Sequence, residues 1–487
     1  MRWFWIILCC NSVFAHNQTL TLASVLKSVD RCFPQIIIAR NQITQAKGQL
    51  IATYGKFDPQ LNTTTRALPF GGYVSNYVDT EVLIPTYVNG LKVFGGYRNG
   101  IGDWPIYYQN YLTNTGGEYR AGFSLPIMRN RKLDNERLDI LAQRENLKIS
   151  ADELQATRIK VYQEAIIVYW NWVQMGHQLA IFKNLLHLAE IRQAAIAKQA
   201  HQGDLPLIAI TENQQLIVQR EQMVQQGELM FLQASNDLAL YYRDLKGQPK
   251  KPLINVLPSL VSSPVKIDRQ FIAKIQAQMN QHPELRKLDK LYKITHLKKD
   301  LAKNDMLPFL DLTAYTAKQY GGNGYPGLIP QAGFIGFSFK FPTYQREAKG
   351  RYISASSELR QIKNETQFRF ETLTLRLQNL VIGFNISKKQ IKLFMKEYDL
   401  AKKVEDGERK RFFNGDSSLF LVNQRETITT QAKINLLNSK IFYNRIKNQI
   451  KYYLAKPLKF SRHSPEHKAL NLRDATGLRL KKYGSDT

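Results

Sequence analysis

Two stretches of this chain each predict an α-helix that is too long for a globular domain. One runs from Pro126 to Gly203, over 77 residues, and the other runs from Pro342 to Gly415, over 73 residues. Between Leu154 and Ala189, apolar residues follow steps of three, four or seven, which is the heptad spacing of supercoiled helices. A 70-residue helix is about 105 Å long. Such helices are expected to form a rod or part of a tube.

Each long stretch ends in a polar turn that contains glycine. The first turn lies in AHQGDLPLIAITENQ, residues 200–214, and the second lies in RFFNGDSSLFLVNQRE, residues 411–426. Glycine, asparagine, aspartate and serine at such a point are typical of a sharp reversal. Helical sequence then continues over 207–246 and 418–454. Each half of the chain therefore predicts a long helical hairpin.

The hairpins belong to a larger pattern that occurs twice. A short helix, a proline, a longer helix and a second proline precede each hairpin. The two prolines are Pro34 and Pro59 in the first half and Pro283 and Pro308 in the second, 25 residues apart in both cases. Two segments of alternating apolar and polar residues follow each second proline, as expected of β-strands. The pattern predicts a tandem structural repeat.

The alternating segments predict four strands per chain. In the first half they begin near Leu61 and end in YRAGFSLP, with a long loop rich in tyrosine, glycine and asparagine between them, at about 64–117. Longer strands or an added hairpin are the alternative for this stretch. In the second half they begin near Leu310 and end in GFSFKFP. Four strands do not close a sheet, but three chains would supply twelve, enough for a barrel with a water-filled interior. The predicted fold class is mainly α, with a small β part.

These patterns divide the chain into five parts. Residues 1–15 have the basic start, apolar run and small final residues of a secretory signal peptide. The first repeat covers 16–247, a linker covers 248–268, and the second repeat covers 269–455. Residues 456–487 lose the heptad pattern and are rich in Lys and Arg, so we expect a basic, flexible tail.

No catalytic constellation is found in the sequence. The eight histidines are scattered without an HExxH motif, and only Cys32 remains after the signal peptide, so neither a zinc site nor an internal disulfide is expected. A GxGxxG spacing at 322–327 is followed by prolines and a strand, whereas a phosphate-binding loop opens a helix. We expect no enzyme activity, no metal and no cofactor.

The formal net charge of +28 does not by itself indicate nucleic-acid binding. Basic residues are spread along the chain and are interleaved with acidic ones, and no nucleic-acid-binding motif is present. Basic side chains on solvated helix faces account for this net charge better than nucleic-acid binding does. The sequence also contains no run of eighteen consecutive apolar residues, the usual sign of a transmembrane helix.

The order of these elements resembles the TolC-like outer-membrane efflux proteins. The resemblance rests on the paired prolines, the FSLP and FKFP joints between strand and helix, and the two glycine turns, and it covers about 20–455. It implies a homotrimer with a β-barrel in the Gram-negative outer membrane, in contact with lipid, and a coiled-coil helical tube in the periplasm. It also implies the exit duct of a tripartite efflux or type I secretion system, which conducts substrate passively. The implied partners are a periplasmic adaptor (membrane fusion) protein and an inner-membrane pump of the RND or ABC type.

In proteins of this kind the glycine turns form the periplasmic entrance. Well-known members carry aspartates six and nine residues after the second glycine, whereas this chain has Leu421 and Gln424 there. Either apolar contacts from Leu421 and Phe420 close the entrance, or Glu212 or Asp416 restores negative charge. The predicted entrance residues are Gly203, Glu212, Phe412, Gly415, Asp416, Ser417, Phe420, Leu421 and Gln424.

Two other function classes remain open from the sequence. One is a periplasmic coiled-coil adaptor or scaffold protein without its own pore, although such adaptors usually carry compact β domains beside a single helical hairpin. The other is a peripheral protein that binds lipid or polysaccharide through its basic charge. The transported substrate, and the pump and adaptor that the chain serves, are not encoded in any of these patterns.

Overall fold

A computed structural model describes most of the chain. The predicted signal peptide and the predicted C-terminal tail lie outside the described residues. The described chain is mainly α-helical with one antiparallel sheet, which confirms the predicted fold class at this level. The described residues are 19–104, 111–203, 205–260, 268–322 and 330–454.

The helices follow one another in the order that the sequence predicts. Pro34 and Pro283 each begin a helix, where a proline needs no backbone hydrogen bond. The two longest helices, α3 and α7, contain 67 and 68 residues. The elements are α1 Leu22–Cys32, α2 Pro34–Tyr54, β1 Gln60–Leu68, β2 Ser75–Pro85, β3 Lys92–Gly102, β4 Glu118–Pro126, α3 Asn135–His201, α4 Ile208–Ala239, α5 Arg269–Ala277, α6 Pro283–Asn304, β5 Phe309–Gln319, β6 Gln331–Lys340, α7 Arg346–Phe413 and α8 Leu419–Lys451.

The sheet has six strands in the described residues, where the sequence predicted four. Its order is β1-β2-β3-β4-β5-β6. The stretch expected to be a loop, at about 64–117, contains the end of β1 and all of β2 and β3. The structure therefore has the added hairpin that the sequence left as the alternative to a loop. Gly and Asn interrupt the alternation of β3, but Asn89 and Gly90, with φ of 50° and 73°, form a typical hairpin turn. The count of four strands, and with it twelve from three chains, is therefore corrected.

The two faces of the sheet differ sharply in chemistry. Successive residues of a strand point to opposite faces, so the register assigns every side chain to one of them. Of the ten charged residues in the six strands, nine lie on one face, the charged face, and only Lys318 lies on the other, the apolar face. One row of the apolar face crosses β2 to β6 through Ile84, Val93, Phe123, Ala314 and Ile335.

The chain divides into two compact units. Among the described residues, the helical unit falls in Met1–Ile38, Leu154–His282 and Glu371–Pro457, and the sheet unit falls in Ala39–Glu153 and Pro283–Phe370. The core of the helical unit is a fully or nearly fully buried apolar cluster. It includes Trp172 and Val173 of α3, Leu238 of α4 and Ile441 of α8.

Two features are absent from the described part of the chain. None of its helices contains a stretch that is both long and apolar enough to cross a membrane. Nor do its residues include a group of three or more His, Cys, Asp or Glu side chains that could hold a metal ion.

Candidate functional site

The two predicted turns lie at the ends of the two longest helices. Helix α3 ends at His201 and is followed by Gly203 with φ of 84°, and α7 ends at Phe413 and is followed by Gly415 with φ of 83°. Glycine adopts this left-handed backbone without steric strain. Apart from the glycine and its two chain neighbours, no atom of the described residues lies within 4 Å of the position that a Cβ would take at either glycine. The backbone angle, and not a lack of space, therefore favours glycine at both turns.

The second turn is a Schellman motif, in which two backbone amides satisfy carbonyls at the helix end. The N–H of Asp416 donates to the carbonyl of Arg411 at 2.9 Å, and the N–H of Gly415 donates to the carbonyl of Phe412 at 3.1 Å. The side chain of Ser418 then caps the first turn of α8. The reversal is thus fixed by local hydrogen bonds on both sides of the glycine.

A small apolar cluster joins the tips of the two hairpins. All of its core members are buried, and each of the four helices contributes at least one of them. We call it the tip cluster. It consists of Ile196 of α3, Ala209 of α4, Phe412 of α7, and Leu419 and Val422 of α8. Phe412, predicted from the sequence to lie at the entrance, is therefore an internal packing residue of its own chain.

Glu426 lies on α8, four residues after Val422 of the tip cluster. It is almost fully buried, with 1% of its side chain exposed. Arginines from three other helices reach its carboxylate. Arg220 of α4 donates at 2.7 Å, Arg409 of α7 donates at 3.0 Å, and Arg192 of α3 donates to the same carboxylate. These four residues are called the Glu426 cluster, and they connect all four helices through one charged group.

The arginines of the Glu426 cluster also have other acceptors. Arg220 donates to the backbone carbonyl of Leu185 at 2.7 Å, and Arg409 donates to Glu405, another buried carboxylate, at 2.9 Å. With Glu405 included, the group carries three positive and two negative charges. Buried charges remain ionised only when they are paired and hydrogen-bonded in this way.

Burial and ion pairing shift the pKa values of Glu426 and Arg220 in opposite directions. Burial alone would raise the pKa of Glu426, but hydrogen bonds and charge from Arg192 and Arg220 outweigh burial, and the pKa is lowered. For Arg220, burial lowers the pKa although the hydrogen bond and charge of Glu426 oppose this effect. Glu426 is thus held as a carboxylate.

The predicted entrance residues differ in their exposure. Phe420 is 70% exposed and Gln424 is exposed, and because they are four residues apart they share one face of α8. Leu421 and Ser417 are only half-buried. Four other predicted entrance residues are also exposed: Gly203, Glu212, Gly415 and Asp416. None of the predicted entrance residues belongs to the Glu426 cluster.

The sequence contains a signal for the Glu426 cluster that the predicted entrance residues do not include. Leu419, Val422 and Glu426 are spaced by three and then four residues, which is the heptad spacing. The carboxylate of Glu426 therefore occupies a seam position of α8. Arg220 lies seven residues after the buried Asn213, in the seam of α4. A charged residue in the seam of a coiled coil needs an oppositely charged buried partner. For Glu426, such a partner would be an arginine or lysine at a seam position of another helix.

Solved structures share this fold over nearly the whole chain. The outer-membrane channel CmeC of Campylobacter jejuni matches with a TM-score of 0.62 and 14% identity, covering 92% of this chain and 88% of CmeC. The outer membrane protein VceC of Vibrio cholerae matches with a TM-score of 0.61 and 12% identity, covering 89% of this chain and 95% of VceC. The outer-membrane channel MtrE of Neisseria gonorrhoeae matches with a TM-score of 0.61 and 12% identity, covering 90% of this chain and 89% of MtrE.

Sequence comparisons give no match of this kind. No protein-family model matches the chain, and no curated protein matches it in sequence. At identities of 12–14%, the similarity to these three solved structures is one of fold. The TolC-like fold that the sequence predicted is confirmed by these structures.

Proposed function

We propose that this chain is one subunit of a homotrimeric outer-membrane channel, the exit duct of a tripartite efflux or type I secretion system. The observation that carries the proposal is the extent of the shared fold, which covers between 88% and 95% of each of the three compared channels. The chain therefore matches almost the complete architecture of proteins described as outer-membrane channels or outer membrane proteins.

The chemistry of the sheet supports a place in the membrane. Its apolar face presents large exposed side chains, including Ile335 at 75%, Phe337 at 67% and Phe339 at 67%. Burying such a face in lipid is favourable, whereas a water-soluble adaptor would have to cover it with protein. This difference favours the channel over the alternative of an adaptor or scaffold without a pore.

In this proposal the channel conducts passively and depends on partners for energy. An inner-membrane pump of the RND or ABC type would drive the substrate, and a periplasmic adaptor would join the pump to the helical hairpins. The glycine turns would lie at the periplasmic entrance.

We propose that apolar side chains close that entrance. Phe420 is the most exposed large apolar side chain of the second turn and first α8 residues, and Gln424 lies beside it on the same face. In a trimer, three copies of Phe420 could meet around the axis and exclude water and ions. Leu421, the next residue of α8, is half-buried and points away from Phe420, so it would not form the constriction by itself.

The Glu426 cluster would keep the two hairpins of one subunit packed together at the entrance. Removing one member of a buried ion pair costs about 3–5 kcal/mol, so the four helices separate here only with difficulty. The tip cluster adds apolar packing to the same contact. Together they would hold Phe420 in a fixed position in each subunit.

The proposed function is tested by two measurements on the detergent-solubilised protein. Light scattering is expected to give a trimer, and the purified trimer is expected to form channels in planar lipid bilayers. A monomer in mild detergent would contradict the proposal. So would a trimer that shows no conductance at any voltage, even when a substitution loosens the entrance.

A further inference from the structure

All six strands have the length that a membrane requires. They contain between nine and eleven residues, and β2 and β3 contain eleven each. A transmembrane β-strand contains about 9–11 residues. The hairpin β2–β3, which the sequence had suggested to be a loop, is therefore as long as the strands on either side of it.

The hairpin is also built into the sheet and separates β1 from β4. Strand β2 pairs with the whole length of β1, from Gln60 opposite Leu83 to Leu68 opposite Ser75. It pairs with β3 over eleven positions, and β3 pairs with β4 over seven. Because β1 and β4 share no hydrogen bonds, the hairpin can leave the plane of the sheet only if these ladders break.

The two faces of the sheet continue through the hairpin without interruption. Ile84 and Val93 of the hairpin are in line with Phe123 and Ile335 on the apolar face. Tyr97 of β3 contacts Tyr119 of β4, with a ring distance of 4.9 Å, also on the apolar face. Aromatic residues near the ends of an apolar band are typical of strands that cross a membrane.

The hairpin contributes most of the charged residues that form a network on the opposite face. Asp79 accepts from Arg98 of β3 at 3.0 Å and from Arg120 of β4 at 2.7 Å, and Arg120 also reaches Glu81 at 3.0 Å. Charges of this kind suit the water-filled interior of a barrel and not a lipid surface.

The outer edges of the sheet remain open in a single chain. Every residue of β1 is exposed, as are nine of the ten residues of β6. Each edge strand carries only one charged residue, Arg66 or Lys340, and no proline that would block pairing. Because the number of strands is even, β6 of one copy runs antiparallel to β1 of the next, so further copies of this chain can close the sheet.

We propose that β2 and β3 cross the outer membrane as part of the channel wall, so that three copies close a sheet of eighteen strands. This inference rests on the proposed trimeric channel. Barrel diameter grows roughly in proportion to strand number, so the membrane part of this duct is about 1.5 times as wide as one of twelve strands. The exit then admits bulkier cargo, and Asp79, Glu81 and Arg98 of the hairpin line it together with Arg120 of β4.

The test places single cysteines on the two faces of the hairpin and of a strand outside it. In a Cys32→Ser background, the hairpin variants are Val82→Cys on the apolar face and Glu81→Cys on the charged face. The matched β6 variants are Ile335→Cys and Ser338→Cys, which lie on the apolar and charged faces, respectively. Each cysteine is labelled with a small fluorophore, and the trimers are placed in bilayers with and without brominated lipid.

Brominated lipid is expected to quench the labels at Val82 and Ile335 to the same extent and to leave those at Glu81 and Ser338 bright. A membrane-impermeant thiol reagent is expected to show the reverse order of reactivity. Val78→Cys, on the apolar face of β2, replaces Val82→Cys if that variant fails to assemble.

The outcomes separate the two levels of the proposal. Quenching at Ile335 without quenching at Val82 or Val78 would show that the hairpin lies outside the wall and would overturn the eighteen-strand sheet alone. No quenching at Ile335 would show that the sheet does not face lipid, and the proposed channel itself would fail.

Discussion

At the scale of single residues, Glu426 is the least expected feature of this chain. A carboxylate in the seam of a helical hairpin is unfavourable unless basic partners reach it, and here they come from α3, α4 and α7. Apolar residues of similar volume could pack this position with equal or greater stability. We expect the charged cluster instead to fix the register of the four helices, as polar residues do in the seams of coiled coils.

Glu426→Gln is expected to destabilise the helical unit by about 3–5 kcal/mol, because it leaves three arginines close together without their shared counter-charge. The measurement is chemical denaturation of the detergent-solubilised protein. Glu228→Gln on α4 is the matched control, since Glu228 forms an exposed pair with Lys183 and its loss should change stability by about 0–1 kcal/mol. Equal effects of the two substitutions would show that Glu426 is not energetically important.

The stability provided by Glu426 is also expected to depend on pH. Its pKa is lower in the folded chain than in the unfolded chain, so its carboxylate stabilises the fold above the ordinary pKa of glutamate. This contribution is lost as the pH falls through the lowered pKa of the folded state. The difference in melting temperature between the wild type and Glu426→Gln should therefore narrow below about pH 4. A difference that stays constant down to pH 3 would contradict the assigned direction.

At the scale of elements, the helical hairpins depend on two left-handed glycines. Gly203 and Gly415 have nearly the same φ, although their surrounding sequences differ. Both follow helices of almost equal length, α3 and α7. The two turns therefore bring together the ends of the four helices that contribute residues to the tip cluster.

Gly415→Ala is expected to destabilise the chain by about 1–2 kcal/mol, because a Cβ is strained in the left-handed conformation. Gly407→Ala is the matched control eight residues earlier in α7. There the backbone is helical and no atom obstructs a Cβ, so alanine should stabilise by about 0.5–1 kcal/mol. Thermal unfolding of both variants measures the contrast, and a neutral Gly415→Ala would show that the turn can relax.

The second hairpin also carries the proposed constriction. Phe420→Asp should introduce block by trivalent cations in planar bilayers, because three copies would place a ring of negative charge at the entrance. Phe420→Asn is the uncharged control, and it should raise the resting conductance without creating the block. If Leu421→Asp produces the stronger block, Leu421 and not Phe420 faces the axis. Strong block of the wild type would instead point to Glu212 or Asp416.

At the scale of the whole molecule, charge and apolar surface make opposite predictions about membrane attachment. A net charge of +28 could hold a peripheral protein on anionic lipid, and salt would screen that attraction. The apolar face of the sheet would bind through burial, which salt does not weaken. We therefore expect a high-salt wash to leave the protein in the membrane fraction and detergent to release it. Release by salt alone would support peripheral attachment.

The sequence by itself determined the helices, their turns and the general fold. Heptad spacing predicted the long helices, Pro34 and Pro283 predicted where α2 and α6 begin, and Gly203 and Gly415 predicted the reversals. Each of these features depends on a few neighbouring residues, because helical periodicity and backbone angles are local properties. The strands β1, β4, β5 and β6 were predicted in the same way from alternation.

Only the tertiary structure decided the number of strands in the sheet and the members of the Glu426 cluster. Strand β3 contains many glycines and alternates poorly, and its assignment depends on pairing with β2 and β4. The partners of Glu426 include Arg220 and Arg192, which are 206 and 234 residues away in the chain. Contacts of this range depend on how whole helices pack, so the pattern of one segment does not contain them.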